Sequence, residues 1–329
     1  MIVDVLSEVL RAIRLRGATF FDVSACSPWV VEAPPASQVL SLTLPASQHL
    51  ISYHVITEGA CWGGLTDEPH VRLPKGTVII FPHGDPHALG SEPGMRATPN
   101  LDIYRRPFPH QLPVSVSIEG GEKELTTIVC GFLGCDVRPF NPLLAALPRM
   151  MVVSDANQDG WISRFVELAV AESRQKRPGG EAVLAKLSEL MFIEVLRRHW
   201  EERAPDQSGW LSGLRDEQVG RALRLLHAEP SRAWTLESLA KETGMSRSAL
   251  AERFSRYVGE GPIQYLTSWR MQSAAFKLSE GASTVAAVAS EAGYDSEAAF
   301  SRAFKRLVGT PPAAWRKRLR QKQPLPVQS

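Results

Sequence analysis

No stretch of this 329-residue chain approaches the roughly 20 consecutive apolar residues that a helix needs to cross a bilayer. The amino terminus also lacks the pattern of a secretory signal, because Asp4 and Glu8 interrupt the apolar positions Ile2, Val5, Leu6, Val9 and Ile13. Those positions fall at helical spacing and predict a short amphipathic helix over residues 1–16. A cytoplasmic location, away from any membrane, is the resulting expectation. Cysteine is scarce: Cys26, Cys61, Cys130 and Cys135 are all there is, and in that compartment they are expected to be reduced. No phosphate loop, nucleotide fingerprint or Ser-His-Asp grouping is found, which removes the enzyme classes that depend on them. No segment is of low complexity.

What is present is ordinary in bulk and uneven in distribution. Charged residues make up 22% and hydrophobic residues 44%, as in a soluble protein, and the length suggests about two domains. The net charge of +2 hides an asymmetry. Residues 1–214 hold 19 Lys and Arg against 24 Asp and Glu, whereas residues 215–329 hold 18 against 11. A basic carboxy-terminal module attached to an acidic partner suits a phosphate-binding end and a separate sensing end.

The texture of the chain agrees. From Thr19 to about Asp136 short β-branched and aromatic runs alternate with Gly and Pro, as in Ser52–Ile56, Gly76–Phe81 and Thr126–Phe132, the pattern of a sandwich or barrel. A proline-rich loop at 139–148 precedes two predicted helices, Trp161–Lys176 and Glu181–Glu202. The second carries Leu184, Leu187, Met191 and Val195 on one stripe, widened by Val183 and Leu190. The expected division is therefore 1–150 as a β-barrel, 151–204 as a helical hairpin suited to dimerisation, 205–213 as a linker, 214–320 as an all-helical module and 321–329 as a disordered tail. The fold class is α+β in two domains.

The helical module writes one pattern twice. Leu236, Leu239, Ala240 and Gly244 correspond to Val285, Val288, Ala289 and Gly293; Phe254, Gly259 and Pro262 correspond to Phe304, Gly309 and Pro312. Each copy reads as a short helix, a glycine turn, a second helix and a Gly-x-x-Pro stop. A small residue at the crossing and a glycine at positive φ are what a tight helix-turn-helix requires. The stretch from Ala289 through Gly293-Tyr294, Phe300-Ser301-Arg302-Ala303-Phe304-Lys305 and Gly309-Thr310-Pro311 to Trp315-Arg316 resembles the signature of the AraC/XylS family of bacterial transcription regulators. The resemblance covers about 100 carboxy-terminal residues and implies two helix-turn-helix units held by a linker helix from Pro262 to about Ser279. A helix of about 17 residues spans about 25 Å, enough to place two recognition helices near one duplex turn apart.

In the first recognition helix Ser246 is the expected N-cap, Leu250 and Phe254 face the core, and Arg247, Ser248, Ala251, Glu252 and Ser255 face outward. Arg247 and Ser248 sit where the family reads bases, and the Glu252 carboxylate is able to accept from a cytosine amino group. In the second, Phe300 and Phe304 pack inward while Glu297, Ala298, Ser301 and Arg302 project. Ser296 caps and contacts phosphate, Lys305, Arg306, Arg316 and Lys317 extend the basic face, and Arg302 is the best candidate for a bidentate guanine contact.

In the first half, Gly76-Thr77-Val78-Ile79-Ile80-Phe81-Pro82-His83-Gly84-Asp85-Pro86-His87 fits G-x5-P-x-G-x2-H and resembles the second motif of the cupin superfamily. Tyr53-His54-Val55-Ile56-Thr57-Glu58-Gly59 resembles a degraded first motif. A metal held by His54, His87 and a third donor such as Cys130 is conceivable but not favoured, because valine stands where further ligands belong. No cofactor is therefore expected. His54, His83, His87 and Trp62 are instead expected to line a pocket for a small organic effector. Cys130 and Cys135, five residues apart on a strand, face opposite sides of the sheet and form the candidate redox pair. The expected function is an effector-responsive, sequence-specific DNA-binding regulator. It acts as a homodimer on promoter operators, activates through RNA polymerase and is not an enzyme. Thiol-based sensing and, behind it, a metal-dependent cupin enzyme are the alternatives.

Overall fold

Alternating apolar residues carry the chain into strands from Arg16 onward, and the computed structural model describes residues 3–105, 113–121, 123–154, 160–175, 177–202, 208–281 and 283–322. Two units emerge. One comprises Met1–Arg14, Asp136–Leu147 and Glu202–Ser329; the other comprises Leu15–Cys135 and Pro148–Glu201.

The second of these is built on two sheets. Strands β1 (Arg16–Ser27), β3 (His49–Glu58), β6 (Thr77–Phe81), β8 (Val114–Ile118), β9 (Lys123–Cys135) and β10 (Met151–Ser154) form one, in the order β10-β6-β3-β9-β1-β8. Strands β2 (Val30–Ala33), β4 (Ala60–Leu65), β5 (Val71–Pro74) and β7 (His87–Gly90) form the other, in the order β2-β7-β4-β5. All pairs are antiparallel except β1 with β8. The core lies between the sheets, with Ile56, Ile79, Phe81 and Ile128 from one and Cys61, Leu65, Leu73 and Leu89 from the other.

The outer face of the larger sheet is covered by helices α4 (Trp161–Gln175) and α5 (Gly180–Glu202), which follow α1 (Val5–Ala12), α2 (Ala36–Thr43) and α3 (Pro142–Ala146) in the chain. Tyr53 reaches outward from β3 to share a 2.6 Å hydrogen bond with Ser188 of α5. That reach requires glycine at 131, where a Cβ would stand 2.3 Å from the Tyr53 hydroxyl. The stripe read in α5 is thus used at home: Leu184, Met191 and Val195 are buried, while Val183 and Leu190, with Leu168 of α4, remain exposed.

The helical unit consists of α6 (Trp210–Arg215), α7 (Glu217–Ala228), α8 (Leu236–Thr243), α9 (Arg247–Val258), α10 (Pro262–Glu280), α11 (Val285–Glu291), α12 (Glu297–Val308) and α13 (Pro312–Lys322), together with α1 and α3. Both turns of the repeat behave alike. Gly244 and Gly293 take φ of 70° and 76°, and the next amide donates back to Ala240 O and Ala289 O respectively, 3.0 Å each. Phe254 meets Tyr265, and Phe300, Phe304 and Trp315 stack in series.

The two units group the chain differently from the division read in the sequence. The amino-terminal helix and Asp136–Leu147 belong to the helical unit rather than to a barrel domain ending at 150, because Gln272 and His227 hold them there through hydrogen bonds. The hairpin is part of the sheet unit. The expected linker 205–213 runs into α6, where Trp210 and Leu211 are buried; residues 205–207 lie outside the described residues. Of the expected tail, Gln321 and Lys322 end α13 and 323–329 lie outside the described residues.

Candidate nucleic-acid interface and barrel cavity

The recognition helices are fixed from below and free above. Ser246 Oγ accepts from Ala249 N and Ser296 Oγ from Ala299 N, 3.2 Å each, so both helices begin on a serine cap. On α9, Arg247, Ser248, Glu252, Ser255 and Arg256 are exposed and Ala251 is half-buried. On α12, Glu297, Ala298, Arg302, Lys305 and Arg306 are exposed and Ser301 is half-buried. Among the described residues Arg247, Arg302, Lys305 and Arg306 make no hydrogen bond or ion pair, so their cationic groups are available to an anion without breaking an internal contact.

Other arginines serve as braces. Arg253 of α9 grips Asp216 through Nε (3.0 Å) and Nη2 (2.6 Å), and Asp216 in turn caps α7 by accepting from Val219 N. Arg270 of α10 donates to Pro230 O (2.6 Å) and Arg232 O (2.8 Å). A Cβ on Gly293 would lie 2.7 Å from Ser231 O, so the second turn is seated against that same loop. The 19-residue α10, about 28 Å long, is therefore locked to both halves of the repeat.

Inside the sheet unit, a cavity of about 210 Å³ opens over the inner face of the larger sheet. Its walls include Phe21, Val31, Tyr104 and Phe132, with Ser52, His54, His87 and Cys130 among them. Phe81 stacks on His87 with ring centroids 3.8 Å apart. The His87 Nδ1–H donates to Asp85 O (2.8 Å), which leaves its Nε2 to accept from His54 Nε2–H (2.7 Å). His54 Nδ1 is then a buried acceptor without a partner.

Burial lowers the His87 pKa to about 4 and, with the nearby His87, holds His54 well below the usual 6.5. Both are neutral at pH 7. The unfolded chain takes up these protons first as pH falls, so the stability they confer is complete above about pH 6.5 and is lost on acidification toward 4. For His87 alone the loss between pH 7.5 and 4.5 is expected to reach about 2–3 kcal/mol. Urea melts at the two pH values check this, and His87→Gln should flatten the difference.

The cupin likeness raises the question of a metal. Such a centre needs several donors converging on one ion. The two imidazoles instead point their Nε2 atoms at each other, and among the described residues no three His, Cys, Asp or Glu side chains converge. The residues do not fit a cupin metal centre.

A cupin family profile matches residues 4–201 and a helix-turn-helix domain profile matches residues 239–318. An AraC-like transcription regulator of Streptomyces lividans is 31% identical over 320 residues, covering 95% of this chain and 98% of its own. The chain is an AraC-type transcription regulator with a cupin domain. The HTH-type transcriptional regulator AlkR of Acinetobacter baylyi is 26% identical over 317 residues, 95% of this chain and 99% of its own. The DNA-binding domain of AdpA, solved in complex with a target DNA, is 27% identical and covers 34% of this chain and all of its own, at a TM-score of 0.32.

In this AraC-type regulator His54 and His87 meet at the cavity wall, whereas His83 and Trp62 lie elsewhere. His83 lines a separate cleft of about 260 Å³ with His49 and Asp85. Trp62 stands on β4 between Cys61 and Gly63, so it faces away from the side on which Cys61 and Leu65 enter the core. Cys130 does reach the cavity, but burial pushes its thiol well above its ordinary pKa, and Cys61 adds to the shift. That suits a buried hydrophobe better than a thiolate. Cys135 is also buried, and both are free thiols. The bracing residues Arg253 and Arg270 carry no signal in the sequence, since polar partners 37 or 40 residues apart follow no helical or strand period.

Proposed function

We propose that this regulator reads a promoter operator through both recognition helices at once and that the barrel cavity admits the effector that controls it. Ser246, Arg247, Ser248 and Glu252 contribute from α9; Ser296, Glu297, Ser301, Arg302, Lys305 and Arg306 contribute from α12. The observation that carries this is the unpaired, exposed set Arg247, Arg302, Lys305 and Arg306 on two serine-capped helices braced through one linker helix. The exposed Leu168, Val183 and Leu190 support pairing of two copies through the hairpin. Activation through RNA polymerase in the cytoplasm is the mode, and the protein is not an enzyme.

Arg302→Ala is expected to lower affinity for a duplex selected from random sequence by about 10- to 100-fold and to relax preference at one base pair. Lys305→Ala should weaken all duplexes alike and reduce the salt slope by about one. Binding isotherms at several salt concentrations decide the matter: an Arg302→Ala protein with unchanged affinity and preference sinks the base-reading role.

A further inference from the structure

The cavity walls say what kind of molecule would fill it. We infer that the effector is a small neutral compound of one ring carrying a hydroxyl group; this rests on the reading of the cavity as the effector site.

Size comes first. An apolar cavity of about 150 Å³ is large enough for benzene, so about 210 Å³ holds one ring with a short substituent. Wall chemistry comes next. Phe21, Tyr104 and Phe132 present ring edges and faces, with centroids of Phe21 and Tyr104 5.5 Å apart and of Tyr104 and Phe132 6.1 Å apart. Aromatic walls favour an aromatic guest through offset and edge contacts.

Charge is then excluded. The imidazoles of His54 and His87 hydrogen-bond to each other as neutral rings, and no lysine or arginine is among the described residues that line the cavity. A carboxylate or phosphate would enter without a cation to meet it. Glu32, the one acidic side chain among the described wall residues, is already held by Arg96 at 2.8 Å through both oxygens and by Ala97 N. A cationic guest would find no free counter-charge.

A polar group is nonetheless called for. Among the described residues neither the Ser52 nor the Tyr104 hydroxyl has a hydrogen-bond partner, although both residues are buried cavity walls. The Tyr104 ring lies against Phe21 and Phe132, which both enter the core between the sheets, and this places it over the inner face of the larger sheet. Ser52 stands two residues from His54 on that face of β3, and His54 Nδ1 is an unpartnered acceptor. An acceptor buried without a partner, as His54 Nδ1 is, is unfavourable, and a guest hydroxyl is able to donate to it while meeting the two wall hydroxyls as donor or acceptor.

Two isomers give the sharpest test. Benzyl alcohol and anisole share a formula and a ring, but only the first can donate. In calorimetric titrations of the full chain at pH 7.5, benzyl alcohol should bind saturably and anisole at least about 10-fold more weakly, because a site that pairs a hydroxyl rejects the analogue lacking it. Benzoate and benzylammonium should bind at least about 100-fold more weakly than benzyl alcohol. Ser52→Ala and Tyr104→Phe should each weaken benzyl alcohol by about 10-fold and leave anisole unchanged. Equal binding of the isomers, tighter binding of either charged ring, or uptake of none of the four overturns the inference. The same preparation is tested on selected duplexes. A chain that holds DNA but takes up no ring sinks only the ligand class, whereas one that takes up benzyl alcohol but holds no duplex sinks the regulator reading.

Discussion

Phe304→Ala should unfold the second helix-turn-helix unit at temperatures where the native chain is intact. The ring is fully buried, 5.4 Å from Phe300 and 6.2 Å from Trp315 by centroid, in a cluster with Met271, Ala275, Leu278 and Val308. Truncating such a phenylalanine costs about 3–5 kcal/mol, because the transfer free energy of the ring is lost and the cavity collapses only in part. A domain is stable by about 5–15 kcal/mol in all, so a large share of the margin would go. The urea midpoint of the helical unit should fall accordingly, specific DNA binding should vanish at 37 °C, and benzyl alcohol titration of the barrel should be unaffected. A loss of less than about 1 kcal/mol would mean that the ring is not the keystone of its cluster.

The second large effect is expected from Gln272→Leu. Gln272 is 1% exposed on α10, and its amide serves two distant segments at once. Nε2 donates to Ala12 O (2.8 Å) at the end of α1, and Oε1 accepts from Phe140 N (3.0 Å) just before α3. Leucine preserves most of the volume but leaves one carbonyl and one N–H buried without partners, about 1–3 kcal/mol each. The same docking is supported nearby by a polar chain in which Glu8 meets His227 Nδ1 (2.9 Å), His227 Nε2 meets the Tyr265 hydroxyl (2.8 Å), and Trp210 donates to that hydroxyl (3.1 Å). Amides of Val9, Leu10 and Phe140 should exchange with solvent markedly faster in the variant, while those of α12 keep wild-type rates. If hydrogen exchange of α1 is unchanged, the amide of Gln272 does not hold the helix in place.

These two residues also mark what could and could not be read beforehand. Phe304 was legible because the repeat aligns it with Phe254, and a repeated aromatic at a helical i,i+4 position is a core signal. The caps Ser246 and Ser296 and the turn glycines Gly244 and Gly293 were legible for a similar reason, since each is a local requirement of the backbone. Gln272 was not. Its partners lie 260 and 132 residues away, and nothing in a helix pattern distinguishes a glutamine that caps foreign backbone from one that faces water. The grouping of Met1–Arg14 and Asp136–Leu147 with the helical unit is hidden for the same reason, since it rests on contacts between segments far apart in the chain. In the cavity, the motif spacing brought out His54 and His87, but Trp62 required the parity of β4. Cys61 and Leu65 lie on the face opposite it and would have supplied that parity.

The union of Met1–Arg14 with the last third of the chain has a consequence for biosynthesis. Ala12 cannot find Gln272 until 260 further residues have been made, roughly 13–50 s of translation at about 5–20 residues per second. Until α7 and then α10 have been made, the apolar face of α1, with Val5, Leu6, Val9 and Leu10, lacks the surfaces that cover it in the folded unit. A nascent polypeptide of this kind offers a chaperone the helix Val5–Ala12 long before the segments that will shield it leave the ribosome.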